Sequence, residues 1–269
     1  GGGKYQTYYT GLGYFNQDGV VKGTNYERYT LQTKNDYKKG IFSAGTNVLL
    51  TFNHDKPLHE ESRGGMVGTI LQALPTLEKY DDSRKGGYGG LYGDVANLPN
   101  PLGMIDDNLM NRYSENMKIY ANVYVQLELF KGLKYKLNMT PDFEFYRYKK
   151  YLNEYDFGIA TNSVTQLTEQ QTRRRNVLVE NLLTYDQTFG DHKVSALVGY
   201  TYQDNRYRWL QAYGENLPQG LEEIDASTTS RSNEGYSNRS VLTSILGRVF
   251  YSYKNKYLIT ATIRRDGSS

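Results

Sequence analysis

The sequence predicts an all-β protein, an antiparallel transmembrane β-barrel wall segment, and three observations carry the prediction. Apolar residues recur at every second position over long stretches, the signature of a strand with one apolar face. Several strand candidates reach or exceed ten residues, where strands in globular proteins have about five or six. A length of roughly 9 to 11 tilted residues is what crossing a bilayer requires. Short and long connections alternate strictly along the chain. A soluble meander has no reason to sort its loops in this way, whereas a transmembrane barrel has short turns on one side and longer loops on the other.

Nine strands are expected, near residues 4–16, 23–36, 41–54, 115–129, 133–148, 173–188, 193–208, 240–253 and 257–266. The first two are joined by the modest link NQDGVVKG, and the second and third by the tight DYKKG. The third alternates through Phe42, Ala44, Thr46, Val48, Leu50 and Phe52. Residues 55–114 then form one long extracellular loop within the barrel domain. Inside it, GTILQALPTLEKYDD sets Ile70, Leu71 and Leu74 near one side of a short helix that Pro75 ends.

The stretch MKIYANVYVQLELFKGLKYKLNM, residues 117–139, is the clearest. Its apolar row holds Ile119, Val123, Val125 and Leu127, continued by Leu137 after the turn, and these are expected to face lipid. The intervening Lys118, Asn122, Gln126, Lys134, Lys136 and Asn138 are expected to face the lumen. A three-residue loop, Phe130-Lys131-Gly132 with the glycine left-handed, sets Leu129 opposite Leu133. A two-residue loop would set Phe130 against Leu133 and break the apolar face.

The sixth candidate is ambiguous. Its odd row holds Val177, Val179, Asn181, Leu183 and Tyr185, while Leu178 and Leu182 lie in the even row. The seventh supplies Val194, Ala196, Val198 and Tyr200. The last hairpin turns on a three-residue loop between Tyr253 and Tyr257, and adds Val249, Ile259 and Ile263 to the lipid-facing set. Tyrosine at such strand ends suits an interfacial aromatic girdle.

Composition agrees. The 269 residues suffice for one large or two ordinary domains. With 32 basic against 29 acidic side chains, the net charge of +3 makes no case for a nucleic-acid partner. No apolar run approaches the roughly 20 residues of a transmembrane helix. The mean hydropathy of −0.70 looks soluble, yet a wall alternating lipid-facing and lumen-facing residues averages to such a value. There is no cysteine, which removes disulfides and thiol chemistry. Tyrosine occurs 27 times, suiting long strands and membrane interfaces.

Candidate chemistry is sparse, and no catalysis is expected. GGYGGLYG, residues 86–93, lacks the Lys-Ser/Thr ending and strand-to-helix context of a phosphate loop, and reads as a flexible surface loop. His54 and His59 near Glu60 and Glu61 have no spacing that aligns them on a metal, and His192 solvates a tight turn. No cofactor is expected; calcium at Asp81, Asp82 and Asp94 is the one alternative, without the regular acidic spacing of an EF-hand loop. The run Arg173-Arg174-Arg175 reads most simply as an interfacial charge belt, with an anionic ligand or lipopolysaccharide phosphate as the alternative. Tyr88, Tyr92, Tyr151, Tyr155, Trp209, Tyr213 and Tyr236 lie in expected outer loops. Exposed aromatics there suit a sugar or peptide platform or packing of the loops on one another, and both readings stand. Tyr88, Tyr92, Tyr155, Trp209 and Tyr213 are the candidate ligand or lid contacts.

Several stretches resemble one family. YYTGLGYFNQDGVVKGTNYERYTLQTK, ILQALPTLEKYDD, LLTYDQTFGDHKVSALVGYTYQ and SILGRVFYSYKNKYLITATIRRDGSS are similar, in order, to segments of the SusC/RagA-type TonB-linked outer-membrane transporters of Bacteroidota. The last run is the most specific. The resemblance implies about nine strands of a larger TonB-dependent barrel, in a class with about 22 strands and a plugged lumen. It also implies location in the bacterial outer membrane, a SusD-like surface lipoprotein as lid, and import of oligosaccharides or peptides driven by TonB. The chain holds no plug, no TonB-contacting segment and no C-terminal barrel strands, and it begins without Met or signal peptide. It therefore reads as an internal piece of a longer protein. The rival readings are a passive porin and a soluble or cell-surface β-rich binding or adhesive module.

Overall fold

The computed structural model describes residues 1–58, 65–91, 98–158 and 160–269. Nine strands form one antiparallel sheet in the order β1-β2-β3-β4-β5-β8-β9-β10-β11. They are β1 (Gln6–Asp18), β2 (Asn25–Lys39), β3 (Phe42–Lys56), β4 (Met110–Phe130), β5 (Leu133–Leu152), β8 (Gln166–Phe189), β9 (His192–Glu215), β10 (Thr229–Tyr253) and β11 (Tyr257–Ser268). A small hairpin, β6 (Tyr155–Phe157) and β7 (Ala160–Asn162), interrupts the series, and the long connection carries helices α1 (Gly65–Gln72) and α2 (Pro101–Met104). Strands adjacent in the main sheet follow one another in the chain, apart from that hairpin, so every connection closes one antiparallel pair.

All nine expected strands are present, but five run further into the long connections than alternation suggested. β4 begins at Met110 rather than 115, β5 reaches Leu152, β8 begins at Gln166, β9 reaches Glu215 and β10 begins at Thr229. Strands of 20 to 25 residues exceed the roughly 9 to 11 needed to cross a bilayer, so about half of each stands beyond it. The outer part of β10, TSRSNEGYSNRS, is largely polar on both faces, and so gives no period-two signal.

The turns hold the rhythm. β4 and β5 close through Phe130 paired with Leu133, with a register shift between Glu128 and Phe130. The expected pairing of Leu129 with Leu133 is not formed. The apolar face survives because Leu129 is the extra residue: it absorbs the slip, and Leu127 still meets Tyr135 and Val125 still meets Leu137. Gly132 sits at φ +88°, a conformation costly for residues with a Cβ. Tyr253 pairs with Tyr257 across Lys254–Lys256 as expected.

Burial is concentrated at one end. Among the described residues, every buried apolar side chain lies at the long-connection end. One cluster joins Met66, Met104, Leu109, Met110, Leu152 and Phe157, and a second joins Tyr151, Leu167 and Leu217. Asn100 caps α2 by accepting from the Leu102 amide at 3.0 Å and donates to the Gly89 carbonyl at 3.0 Å, tying the connection together. The expected helix forms with a different face inward. Met66 and Thr69 are buried, while Ile70 and Leu71 are exposed, and Leu74 lies exposed beyond the helix end. The helix stops at Gln72, three residues short of Pro75.

Candidate functional site: two faces of a wall and its outer rim

Register assigns each side chain to a face, because paired residues project together. The face that holds Val123 also holds Leu31, Leu50, Ile119 and Phe143, which pair in turn from β2 to β5. It includes Val125, Leu127 and Leu137 and, across β8 and β9, Val249, Ile259 and Ile263. All eight residues read as lipid-facing therefore share one face, and it stays open: Val123 is 42% and Ile263 75% exposed. On β8 the same face carries Val177, Val179, Asn181, Leu183 and Tyr185, which resolves the strand that periodicity left ambiguous. Leu182 falls on the other face and packs over Gly199.

The six residues read as lumen-facing share that opposite, polar face. Lys118 pairs with Asp142 at 3.6 Å. Asn122 donates to Asn138 at 2.9 Å and to Thr140 at 2.8 Å, and Asn138 donates on to Glu180 at 2.8 Å. Lys136 lies 4.4 Å from the centre of the Tyr124 ring, whose hydroxyl donates to Asp36 at 3.0 Å. Gln126 and Lys134 oppose Lys136 and Glu128. Charges here are matched, and the chain from Asn122 through Asn138 to Glu180 crosses three strands. Such a surface suits contact with water and polar solutes.

Towards the long connections the polar face becomes aromatic. Trp209 and Tyr207 lie two residues apart on β9, both beside Tyr236 of β10, with ring centres 5.8 and 5.4 Å away. The Arg174 guanidinium stands 5.6 Å over Tyr207 and bonds Glu144 at 3.0 Å. Tyr236 remains 59% exposed. Tyr213 lies further out on the same face and donates to Glu215 at 2.6 Å. Trp209 and Tyr213 thus sit on a strand, not in a loop. Tyr207 was not singled out from the sequence; its spacing of two from Trp209 was the available signal.

The other aromatics serve the connection itself. Tyr88 meets Phe157 edge-on at 6.1 Å and donates to Asp106 at 2.9 Å, while Tyr155 stacks on Phe157 at 4.5 Å. Burial, then the bond to Asp106, pushes the Tyr88 hydroxyl up to about 12. Tyr151 is buried in the second cluster. Tyr92 lies outside the described residues. The glycine-rich stretch departs from its reading as a free surface loop: Gly89 is buried, and Gly90 lies against the Phe157 backbone where a side chain has no room.

His54 stacks on Tyr113 at 5.5 Å and lies 3.8 Å from Glu115; His59, Glu60 and Glu61 lie outside the described residues. Asp81 accepts from Ser83 and Arg84, bonds that hold its carboxyl below the usual range. Asp94 lies outside the described residues. Among the described residues no group of three or more His, Cys, Asp or Glu side chains is placed to hold a metal. His192 contacts Tyr251 at 2.6 Å beside its turn.

No family model matches the chain. It is 26% identical over its whole length to TonB-dependent receptor P3 of Formosa agariphila, covering 27% of that protein. It is 25% identical, again over its whole length, to TonB-dependent receptor SusC of Bacteroides thetaiotaomicron, covering 28% of it. The chain thus spans about a quarter of the length of the curated relatives it matches. Among solved structures, the RagAB peptide transporter superposes on the whole chain with a TM-score of 0.83 at 19% identity, over 31% of its own chain. The ferric preacinetobactin receptor BauA of Acinetobacter baumannii superposes with a TM-score of 0.54 at 11% identity, over 99% of this chain and 38% of its own.

Proposed function

We propose that this chain, a stretch of barrel wall of the SusC/RagA type of TonB-dependent receptors in the bacterial outer membrane, forms part of an importer for oligosaccharides or peptides. One observation carries the reading: a single antiparallel sheet with one open apolar face, one hydrogen-bonded polar face and alternately short and long connections. Backbone groups in lipid find no water, so a closed ladder is the only β arrangement that satisfies them. The apolar face then meets lipid and the polar face the lumen. The outer halves of β8, β9 and β10 stand as a rim, and Trp209, Tyr207 and Tyr236 offer flat rings to apolar sugar or side-chain faces, with Arg174 supplying charge beside them. Energy arrives from TonB through parts of the protein outside this chain, and a SusD-like lipoprotein closes the rim. The wall performs no chemistry on its cargo.

Growth of a strain carrying the full-length protein, on oligosaccharides and on peptides as sole carbon source, tests the reading. Trp209→Ala with Tyr236→Ala is expected to cut uptake of one class about tenfold, the usual worth of central aromatic contacts, with unchanged protein in the outer membrane. Uptake that continues undiminished without TonB would sink the import reading in favour of a passive pore. Undiminished uptake of both classes by the double variant would remove the platform.

A further inference from the structure

A basic patch stands on the other face of the wall. The residues that follow the apolar rows of β8, β9 and β10 outward are Arg175 and Arg173, Arg206 and Arg208, and Arg239. Register puts these five on the same face as Val123 and Val249. Arg175 pairs directly with Arg206, Arg206 with Arg239, and Arg173 with Arg208. Strands lie about 4.8 Å apart, and like charges directly opposite one another are destabilising. One carboxylate answers them: the buried Asp204 accepts from Arg206 at 3.1 Å and from Arg239 at 2.9 Å, fixing both guanidinium groups. Arg173, Arg175 and Arg208 have no ion-pair partner among the described residues. Across the register, Phe143 and Phe145 of β5 adjoin Arg175 and Arg173, and a groove of about 620 Å³ joins the rings to the arginines.

We propose that this patch binds the phosphate groups of a phosphorylated outer-leaflet glycolipid. Guanidinium forks match phosphate oxygens in pairs, and an anion between the rows removes the repulsion they otherwise carry. Position selects the source. The patch begins where the apolar rows end, at the depth of lipid headgroups, and the adjoining phenylalanines suit the start of an acyl chain. The proposal rests on the apolar face lying in lipid, which the Val123 substitution discussed below tests separately.

The test takes the full-length protein in detergent micelles and counts bound lipid by native mass spectrometry. The probes are lipid A, the same lipid A stripped of phosphate, and inorganic phosphate alone. Lipid A is expected to remain bound, and the stripped lipid to bind about tenfold more weakly or less, as for lost charge-assisted bonds. Inorganic phosphate at equal molarity is expected not to displace it. The triple change Arg173→Gln, Arg175→Gln and Arg208→Gln should reproduce the loss, and Arg248→Gln on the opposite face should not. Equal retention of the two lipids by the unaltered protein overturns the proposal, and so does a folded triple variant that keeps lipid A. Displacement by inorganic phosphate overturns it in favour of a free-anion site only. Should the triple variant fail to fold, the comparison of the two lipids by the unaltered protein decides alone.

Discussion

Val123 and Gly132 show what single positions contribute to the wall. Val123 lies opposite Thr46 on one side and Met139 on the other, within the apolar face. Val123→Arg is expected to cost about 2–4 kcal/mol near the bilayer midplane, read as the shift in urea unfolding of the full-length protein in lipid vesicles. Gln126→Glu, on the polar face opposite Lys136, should stay within about 0.5 kcal/mol. Equal effects would remove the distinction between the faces. At Gly132, φ is +88° and an added side chain meets the Asp186 carbonyl. Gly132→Val should therefore lose about 1–3 kcal/mol in the same measurement, and an unchanged midpoint would show that the turn relaxes freely. Both positions were legible in the sequence, since alternation and turn chemistry are local. The bulge at Leu129 was not, because a two-residue turn keeps the hydrophobic pattern only when one residue bulges, and only the strand pairing reveals that.

Whole elements divide along the same line. Where one face is apolar and the other polar, as in the inner parts of β4 and β5, period two marks the strand. Where both faces meet water, as in residues 229–240, nothing marks it, and Trp209 and Tyr213 read as loop residues. The long connection was opaque for a different reason: its core joins Met66, Met104 and Phe157, contacts between segments far apart in the chain. Tyr88 gives that core a pH dependence. Its hydroxyl is pushed up to about 12 from an ordinary 10, so the folded connection holds that proton more tightly than the unfolded one. The stabilisation is complete below pH 10 and is lost as pH rises towards 12. Protease resistance of the connection should fall across that window in the unaltered protein. Tyr88→Phe, which loses the bond to Asp106, should be less resistant at neutral pH and show a flatter decline. Parallel curves for the two proteins would place the alkaline sensitivity elsewhere.

At the scale of the molecule, the sheet puts its apolar surfaces at two distinct levels. The first is the band shared by all nine strands, which on the proposed reading lipid covers. The second belongs to α1, where Val67, Ile70 and Leu71, followed by Leu74, are 52, 44, 80 and 38% exposed. These residues recur at the spacing of one helical face, and they sit on the long connection rather than on the wall. Met66 and Thr69 take the inward side, which leaves this stripe pointing away from its own core. On the proposed reading the long connection stands outside the bilayer, so a protein partner must cover the stripe if it is to leave water. The surface lipoprotein proposed as lid is the partner to test. Leu71→Asp is accordingly expected to lower co-purification of the lipoprotein with the full-length barrel about tenfold, as for a central apolar anchor. Because Leu71 packs against little of its own chain, the unfolding midpoint of the barrel should stay where it was. A lipoprotein recovered in equal amount would exclude α1 from the lid contact, and a lowered midpoint would mean that the stripe supports the connection instead.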